Sequence, residues 1–331
     1  MAQSAQYQFT TASRGEDASA RRPRVSVGLV NNMPDAALQA TERQFVTLLH
    51  AAAESCDIRI HLFSLPGVPR AGAALERLRT RYIDYSELRN LHMDALIVTG
   101  AVPVTSRVED EPFWKPFCEL VDWAADHTVS TIWSCLAAHA AVQHIDGIER
   151  HRLPSKLSGV FDVDLCSSDP LVSGLARRYN VPHSRYNGLN ENELVANGYV
   201  VLGRSTEAGV DMFSKRMPSR FVFLQGHPEY DGDTLMREYR RDLSQFLAGE
   251  RAECPDMPAG YLSAALKERL NSIVETAAKG RDSAAVKRLL DLDGRMPAVG
   301  SWSPHAIALV RSWIDEIARD KSGAARRSVA A

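Results

Sequence analysis

The chain has no CxxC pair, and its five cysteines (Cys56, Cys118, Cys135, Cys166 and Cys254) are odd in number and widely spaced. That pattern excludes a disulfide framework or a zinc knuckle as the organising device. A reducing, cytoplasmic setting is expected, in which a free thiol persists. No run approaches the roughly 18 apolar residues of a bilayer-spanning helix, so no membrane partner is expected. No basic block stands in the middle of the chain and the net charge is −2, so nucleic-acid binding has no electrostatic footprint. No P-loop is visible, and no internal repeat. His139, His144 and His183 form no HxxxH or HxH pair; they read as core or solvated histidines, and no metal or bound cofactor is expected. Residues 1–24 are polar and lack the apolar centre of a secretory signal. Glu16 and Asp17 count against a transit peptide, which leaves a disordered lead-in as the expectation.

What remains is an ordinary globular composition, 45% hydrophobic and 24% charged over 331 residues, enough for one large domain or two ordinary ones. The β-rich run Val25 to Val30 precedes a helical pattern from Ala36 to Glu54, with Leu38, Phe45, Leu48 and Leu49 along one side. Pro34 and Asp35 stand where a helix start would put them. Ile58 to Phe63 alternates as a strand does. Asp94 to Thr99 is nearly continuous apolar sequence, as in a strand buried on both faces. A helical pattern from Phe113 to Asp126, a strand from Val129 to Trp133 and a helix from Leu136 to His144 follow. This alternation predicts an α/β fold, a mostly parallel sheet flanked by helices. Beyond residue 155 shorter runs appear at Gly159 to Leu165, Tyr199 to Leu202, Gly209 to Phe213 and Phe221 to Leu224. Turn-rich stretches such as Tyr186 to Gly188 and Asn190 to Asn192 separate them, and they read as antiparallel additions. Helices are expected over Thr234 to Leu247, Leu262 to Ala278 and Pro304 to Arg319. Four segments result: a lead-in at 1–24, a main domain at 25–250, a helical C-terminal extension at 251–319 packed on it, and a disordered tail at 320–331.

The phrase Ile132-Trp-Ser-Cys135-Leu-Ala-Ala-His139 carries the chemistry. A cysteine at a sharp strand-to-helix turn exposes its sulfur at a helix N-terminus, whose positive end favours the thiolate. Free cysteines are more often buried small hydrophobes; the turn context sets Cys135 apart from the other four. Gly226-His227-Pro228-Glu229 follows a second apolar run. Pro228 holds His227 in extended backbone, and the spacing turns His227 and Glu229 to one side. A Gly-His-Pro loop can be a mere turn, but a base with an orienting carboxylate completes a set for covalent acyl transfer. Gly100 and Ala101, after the buried strand, either start a turn or join the N–H of Leu136 in an oxyanion hole. Lys156, Ser184, Arg185 and Arg241 read as plain surface residues on their own.

Taken in order, these phrases resemble one family. Val27-Gly-Leu-Val-Asn-Asn-Met-Pro34, Leu96-Ile-Val-Thr-Gly-Ala101, the Cys135 turn, Lys156-Leu-Ser-Gly-Val-Phe161, Pro182-His-Ser-Arg185, Gly226-His-Pro-Glu-Tyr-Asp231 and Glu238-Tyr-Arg-Arg-Asp242 are similar to those of the homoserine O-succinyltransferase family. That family is built on a class I glutamine amidotransferase-like fold with flavodoxin-like layering. The likeness covers roughly residues 24–249 and resumes from Trp302 to Trp313.

The resemblance implies Cys135 as the acyl-thioester nucleophile, His227 as general base and Glu229 as its partner. It also implies Lys156, Ser184 and Arg241 as substrate-binding positions. The reaction it implies is ping-pong: acyl-CoA acylates Cys135, coenzyme A leaves, and the hydroxyl of homoserine takes the acyl group, feeding methionine synthesis. Exchange of one thioester for another is nearly balanced, which suits a cysteine to this donor. The family's acyl-donor position falls at Val104, where Glu suits acetyl-CoA and Gly suits succinyl-CoA. Valine does not repel a carboxylate, so the lean is to succinyl-CoA, with acetyl-CoA as the alternative cosubstrate. Leu136-Ala137 lack the aromatic residue often present after the nucleophile, and residues 250–300 depart most. These departures leave serine or another amino alcohol open as acceptor. The family also implies a homodimer. A glutamine amidotransferase-type hydrolase is the competing enzyme reading, by fold analogy alone.

Overall fold

The computed structural model describes residues 7–9, 22–280 and 300–329. Its centre is a ten-stranded sheet in the order β1-β3-β2-β4-β5-β10-β9-β8-β6-β7. Five neighbouring strands run parallel: β3 (Asp57–Phe63), β2 (Arg24–Val30), β4 (Ala95–Val98), β5 (Ser130–Ser134) and β10 (Arg220–Leu224). That is the strand order of a flavodoxin-like sheet, in which ligands lie beyond the carboxyl ends of the strands. The class expected from the alternation of elements is therefore the one observed. Beyond β10 the sheet turns antiparallel through β9 (Gly209–Arg216), β8 (Val200–Ser205), β6 (His151–Leu165) and β7 (Arg178–Gly188).

The apolar runs are continuous because both faces are covered. In β4 Leu96 and Val98 join one core cluster while Ala95 and Ile97 join the other, the two-residue alternation of a strand. The first cluster packs under α3 (Trp114–His127) and α4 (Leu136–Asp146). The second packs under α1 (Asp35–Ala52) and the last helix, α8 (Ser303–Val329). Trp302, Ala306, Leu309, Trp313 and Ile317 of the α8 region recur at helical spacing and are buried, as an amphipathic stripe requires. The Trp313 indole donates to Ser130 Oγ at 2.8 Å, and Arg220 at the start of β10 pairs with Glu316 at 2.8 Å. These bonds lock α8 onto the strands that carry the site.

The structure differs from the sequence expectation in several places. Tyr186 to Gly188, expected as a turn, is the end of β7, with Gly188 opposite His151. β6 starts at His151 rather than Gly159. The reason is local: β7 alternates polar and apolar residues around Pro182, and its partner β6 opens with polar sequence, so neither shows a clean apolar run. Asn190 caps α5 (Glu191–Ala196) by accepting from Asn192 N, where a loop was expected. The helix α2 (Gly72–Arg81) was not foreseen, because it buries only Ala74 and has little apolar periodicity. Within the expected lead-in, β1 (Tyr7–Phe9) pairs antiparallel with β3; residues 1–6 and 10–21 lie outside the described residues. α6 (Thr234–Leu247) matches its expected span, and α7 (Ala264–Gly280) is shifted by two residues at each end. α8 continues to Val329, through residues read as a tail. Positions 281–299 of the expected extension are also outside the described residues.

Candidate active site

Cys135 joins β5 to α4 with φ +54° and ψ −115°. Among the described residues it is the one non-glycine with positive φ, and such strain of about 1–3 kcal/mol is characteristic of functional turns. The turn is held from two sides. Cys135 N donates to Leu224 O at 2.7 Å, and Cys135 O accepts from Ala138 N at 3.0 Å. Gln225 then clamps α4 to the end of β10. It faces His139 Nε2 at 2.8 Å and donates to Val210 O at 2.7 Å. His139, read from sequence as a core or solvated histidine, is buried, which pushes its pKa down to about 3.

The chain leaves β10 through Gly226 and reaches His227, whose N–H donates to Pro182 O at 2.7 Å. Gly226 is required there. A Cβ on it would fall 2.6 Å from Asp211 Oδ1 and 2.9 Å from Val181 Cγ2. His227 Nδ1 lies 2.9 Å from Glu229 Oε1, and the ring stacks on Tyr230 with centroids 4.3 Å apart. Both residues are nearly closed to solvent, His227 at 6% and Glu229 at 8% exposure. Burial alone would lower the His227 pKa. The charges of Glu229 and Cys135, and hydrogen bonds to both side chains, outweigh it and hold the pKa well above the ordinary value. The three residues singled out from sequence are thus brought together, with the His227 side chain hydrogen-bonded to both Glu229 and Cys135.

Gly100 approaches the same turn. A Cβ there would meet Leu136 Cβ at 2.9 Å and Leu136 N at 3.0 Å. Leu136 opens α4, so its N–H has no partner within the helix. Gly100, Ala101 and Leu136 therefore present backbone at one place beside Cys135, as an oxyanion site needs. Val104 lies further out on this loop, with its side chain 67% exposed. Its backbone is fixed by Glu111, whose Oε1 accepts from Val104 N at 2.8 Å, Thr105 N at 2.7 Å and Thr105 Oγ1 at 2.6 Å.

Lys156, Ser184 and Arg241 converge on two carboxylates of α6. Lys156 Nζ is 2.8 Å from Asp242 Oδ2 and 3.6 Å from Glu238 Oε2. Ser184 Oγ donates to Glu238 Oε2, and Arg241 holds Asp242 Oδ1 through Nε at 2.9 Å and NH2 at 2.7 Å. Tyr230 Oη donates to Glu238 Oε1 at 2.7 Å, so this cluster and the His227 ring share one aromatic side chain. A small cleft lined in part by Lys156, Ser158, Tyr186 and Asp242 adjoins it. A larger cavity of about 520 Å³, lined by Val160, Asn180, Tyr261 and Trp302 among others, is not lined by Cys135, His227 or Glu229. Among the described residues no three His, Cys, Asp or Glu side chains are grouped to hold a metal ion.

Sequence reasoning missed the roles of Glu238, Asp242 and Tyr230. The first two are four residues apart on a helix, which was signal enough to place them on one face. It also passed over Arg185, which is buried and whose charge acts on Cys135. An arginine flanked by polar residues on an unrecognised strand gives no cue to burial.

A family model for homoserine O-succinyltransferase matches residues 4–322. A homoserine O-succinyltransferase of Rhodopseudomonas palustris is 47% identical over 307 residues, covering 93% of this chain and 92% of its own. One from Bradyrhizobium japonicum is 47% identical over 310 residues, covering 93% and 94%. Among solved structures, a glutamine amido transferase from Methylobacillus flagellatus superposes with a TM-score of 0.50 at 14% identity, over 90% of this chain and 96% of its own; this is a likeness of fold.

Proposed function

The chain belongs to the homoserine O-succinyltransferase family and is an acyltransferase; from that premise we propose that it moves a succinyl group from succinyl-CoA, through a thioester on Cys135, to the hydroxyl of L-homoserine. The product, O-succinylhomoserine, serves methionine synthesis. The observation that carries the proposal is the placement of His227 between Glu229 and the Cys135 side chain. Backbone of Gly100 and Leu136 lies alongside.

The reacting form is the ion pair of the Cys135 sulfur with a protonated His227, whose raised pKa favours the proton on the imidazole. The sulfur attacks the thioester carbonyl, and the oxygen that becomes negative is met by the N–H groups near Gly100 and at Leu136. Collapse breaks the bond to coenzyme A, whose sulfur takes the proton from His227. Acylation removes the negative charge on Cys135, one of the groups that had held the proton on His227. The now neutral imidazole accepts the proton of the homoserine hydroxyl as that oxygen attacks the acyl-enzyme. The second collapse returns the Cys135 thiolate and leaves His227 protonated. Glu229 keeps Nδ1 as the donor to itself, so the other ring nitrogen faces the reacting atoms throughout.

Homoserine is a zwitterion, and the cluster of Lys156, Ser184, Glu238, Arg241 and Asp242 offers both signs of charge within a few ångströms. We assign acceptor binding to it. The test is direct. The enzyme is mixed with succinyl-CoA alone, and intact-mass spectrometry is expected to find one succinyl adduct, on Cys135, that homoserine removes. C135A forming the adduct, or turning over as fast as wild type, would overturn the mechanism. Glutamine in place of both substrates is expected to release no ammonia; its hydrolysis would favour amidotransferase chemistry.

A further inference from the structure

Tyr230 is buried and held at both ends. It belongs to a small apolar cluster with Leu235 and Trp302. At the backbone, its O accepts from the Trp302 indole at 2.9 Å and its N donates to His227 O at 3.2 Å. At the tip, Oη donates to Glu238 Oε1 at 2.7 Å, while Ser184 donates to the other oxygen of that carboxylate. Between the two ends the ring lies over the His227 imidazole, with centroids 4.3 Å apart and 19° between the planes. Burial and the nearby charges of Glu238 and Glu229 push the phenol pKa well up, so Oη remains a donor.

A phenylalanine would stack on the imidazole equally well; only the hydroxyl reaches the acceptor cluster. The two half-reactions draw on these features differently. Acylation of Cys135 needs the sulfur, the imidazole and the oxyanion backbone, with no acceptor present. Transfer needs the acceptor's hydroxyl within reach of the imidazole while its charged groups rest on the cluster of Lys156, Glu238 and Asp242. One rigid ring spans both requirements, and a misplacement of about 1 Å can cost roughly 10²-fold in rate. We propose that Tyr230 is a positioning residue for the transfer step: its ring sets the imidazole, and its bond to Glu238 sets the acceptor cluster at a fixed distance from that imidazole. This rests on the acyl-enzyme reading and the acceptor assignment above.

The experiment follows three steps by intact-mass spectrometry in wild type, Y230F, Y230L, E238A and the Y230F/E238A double variant. These are adduct formation with succinyl-CoA, removal of the preformed adduct by homoserine, and its slow removal by water in buffer alone. Y230F is expected to slow removal by homoserine about 10- to 100-fold, the range of one hydrogen bond to a charged group, and to slow the other two steps several times less. The ratio of the steps does not depend on the fraction folded. Y230L, which also removes the stack, is expected to slow adduct formation as well. On E238A, adding Y230F is expected to slow transfer by less than about threefold further, because the partner of the hydroxyl is already gone. Equal slowing of all three steps by Y230F would reduce Tyr230 to packing for the imidazole and overturn the proposal. So would no slowing, or effects of Y230F and E238A that multiply. A wild-type enzyme that forms no adduct, or whose adduct homoserine removes no faster than water, would overturn the underlying reading instead, and the two failures are distinguishable.

Discussion

Two buried histidine–carboxylate pairs lie close together, and their histidines are shifted in opposite directions. His227 faces Glu229 at 2.9 Å and has the Cys135 side chain on its other side. His183, on β7, faces Asp211 at 3.2 Å, accepts at Nδ1 from Arg185, and is fully buried. Burial is the largest influence on both. At His227 two negative groups overcome it and the pKa rises well above the ordinary value. At His183 the arginine and His227 add to burial, against Asp211, and the pKa falls. Residue type and spacing do not separate the proposed base from the other buried histidine; the sign of the charge on the far side of the ring does.

Removing the proposed base has the largest expected effect. H227Q is expected to lower kcat/KM by about 10²- to 10⁴-fold, with acyl-enzyme formation slowed in single-turnover assays. A loss under tenfold would remove His227 from the proton path. E229Q comes next. It keeps the shape but not the charge, and a drop of roughly 10²-fold with a pH profile displaced to lower pH is expected, read from initial rates between pH 5 and 9.

On the structural pair the expected cost moves from rate to stability. D211N weakens the tie to His183 and to Tyr179, whose Oη donates to Asp211 at 2.6 Å. It is expected to cost about 1–3 kcal/mol in denaturant unfolding and to change kcat by less than the E229Q substitution does. A kcat loss as large as that of E229Q, with stability intact, would put His183 in the mechanism.

The smallest effect is in pH dependence, and its sign separates the pairs. His227 is raised in the fold, so its contribution to stability is present below about 6.5, the unfolded value, and is lost as pH rises toward the folded pKa. His183 is lowered, so its contribution is present above that value and is lost as pH falls toward its folded pKa. The Tm gap between wild type and H227Q is expected to narrow as pH rises. The gap to H183Q is expected to narrow as pH falls. Gaps that move in the same direction would erase the distinction.

The parallel half of the molecule was legible in the sequence because buried parallel strands are written as apolar runs. Cys135, Gly100 and the His227–Glu229 phrase each stand at the end of such a run, so their approximate juxtaposition followed from the expected fold. The other half was less legible. β7 carries Asn180, Pro182, Asn187 and Gly188, residues that read as turns, yet pairing with β6 satisfies its backbone and buries His183 and Arg185. Lys156, Ser184 and Arg241 could be named only by resemblance. Their meeting point, Glu238 and Asp242, required the docking of α6 against the β6–β7 hairpin, a contact between distant segments with no local signature.

The change of direction between β10 and β9 divides the molecule's labour. The residues proposed for bond-making, Cys135 and His227, follow the ends of β5 and β10, with Gly100 beyond β4, on the parallel side. The residues proposed to recognise the acceptor, Lys156 and Ser184, stand on the antiparallel hairpin, which joins the rest through the edge of β8 and through α6. Such a seam makes substrate choice and reactivity separately heritable. An exchange of the 150–188 segment between relatives would carry a new substrate preference onto an unaltered nucleophile, and drift in that segment would redirect the enzyme without first disarming it.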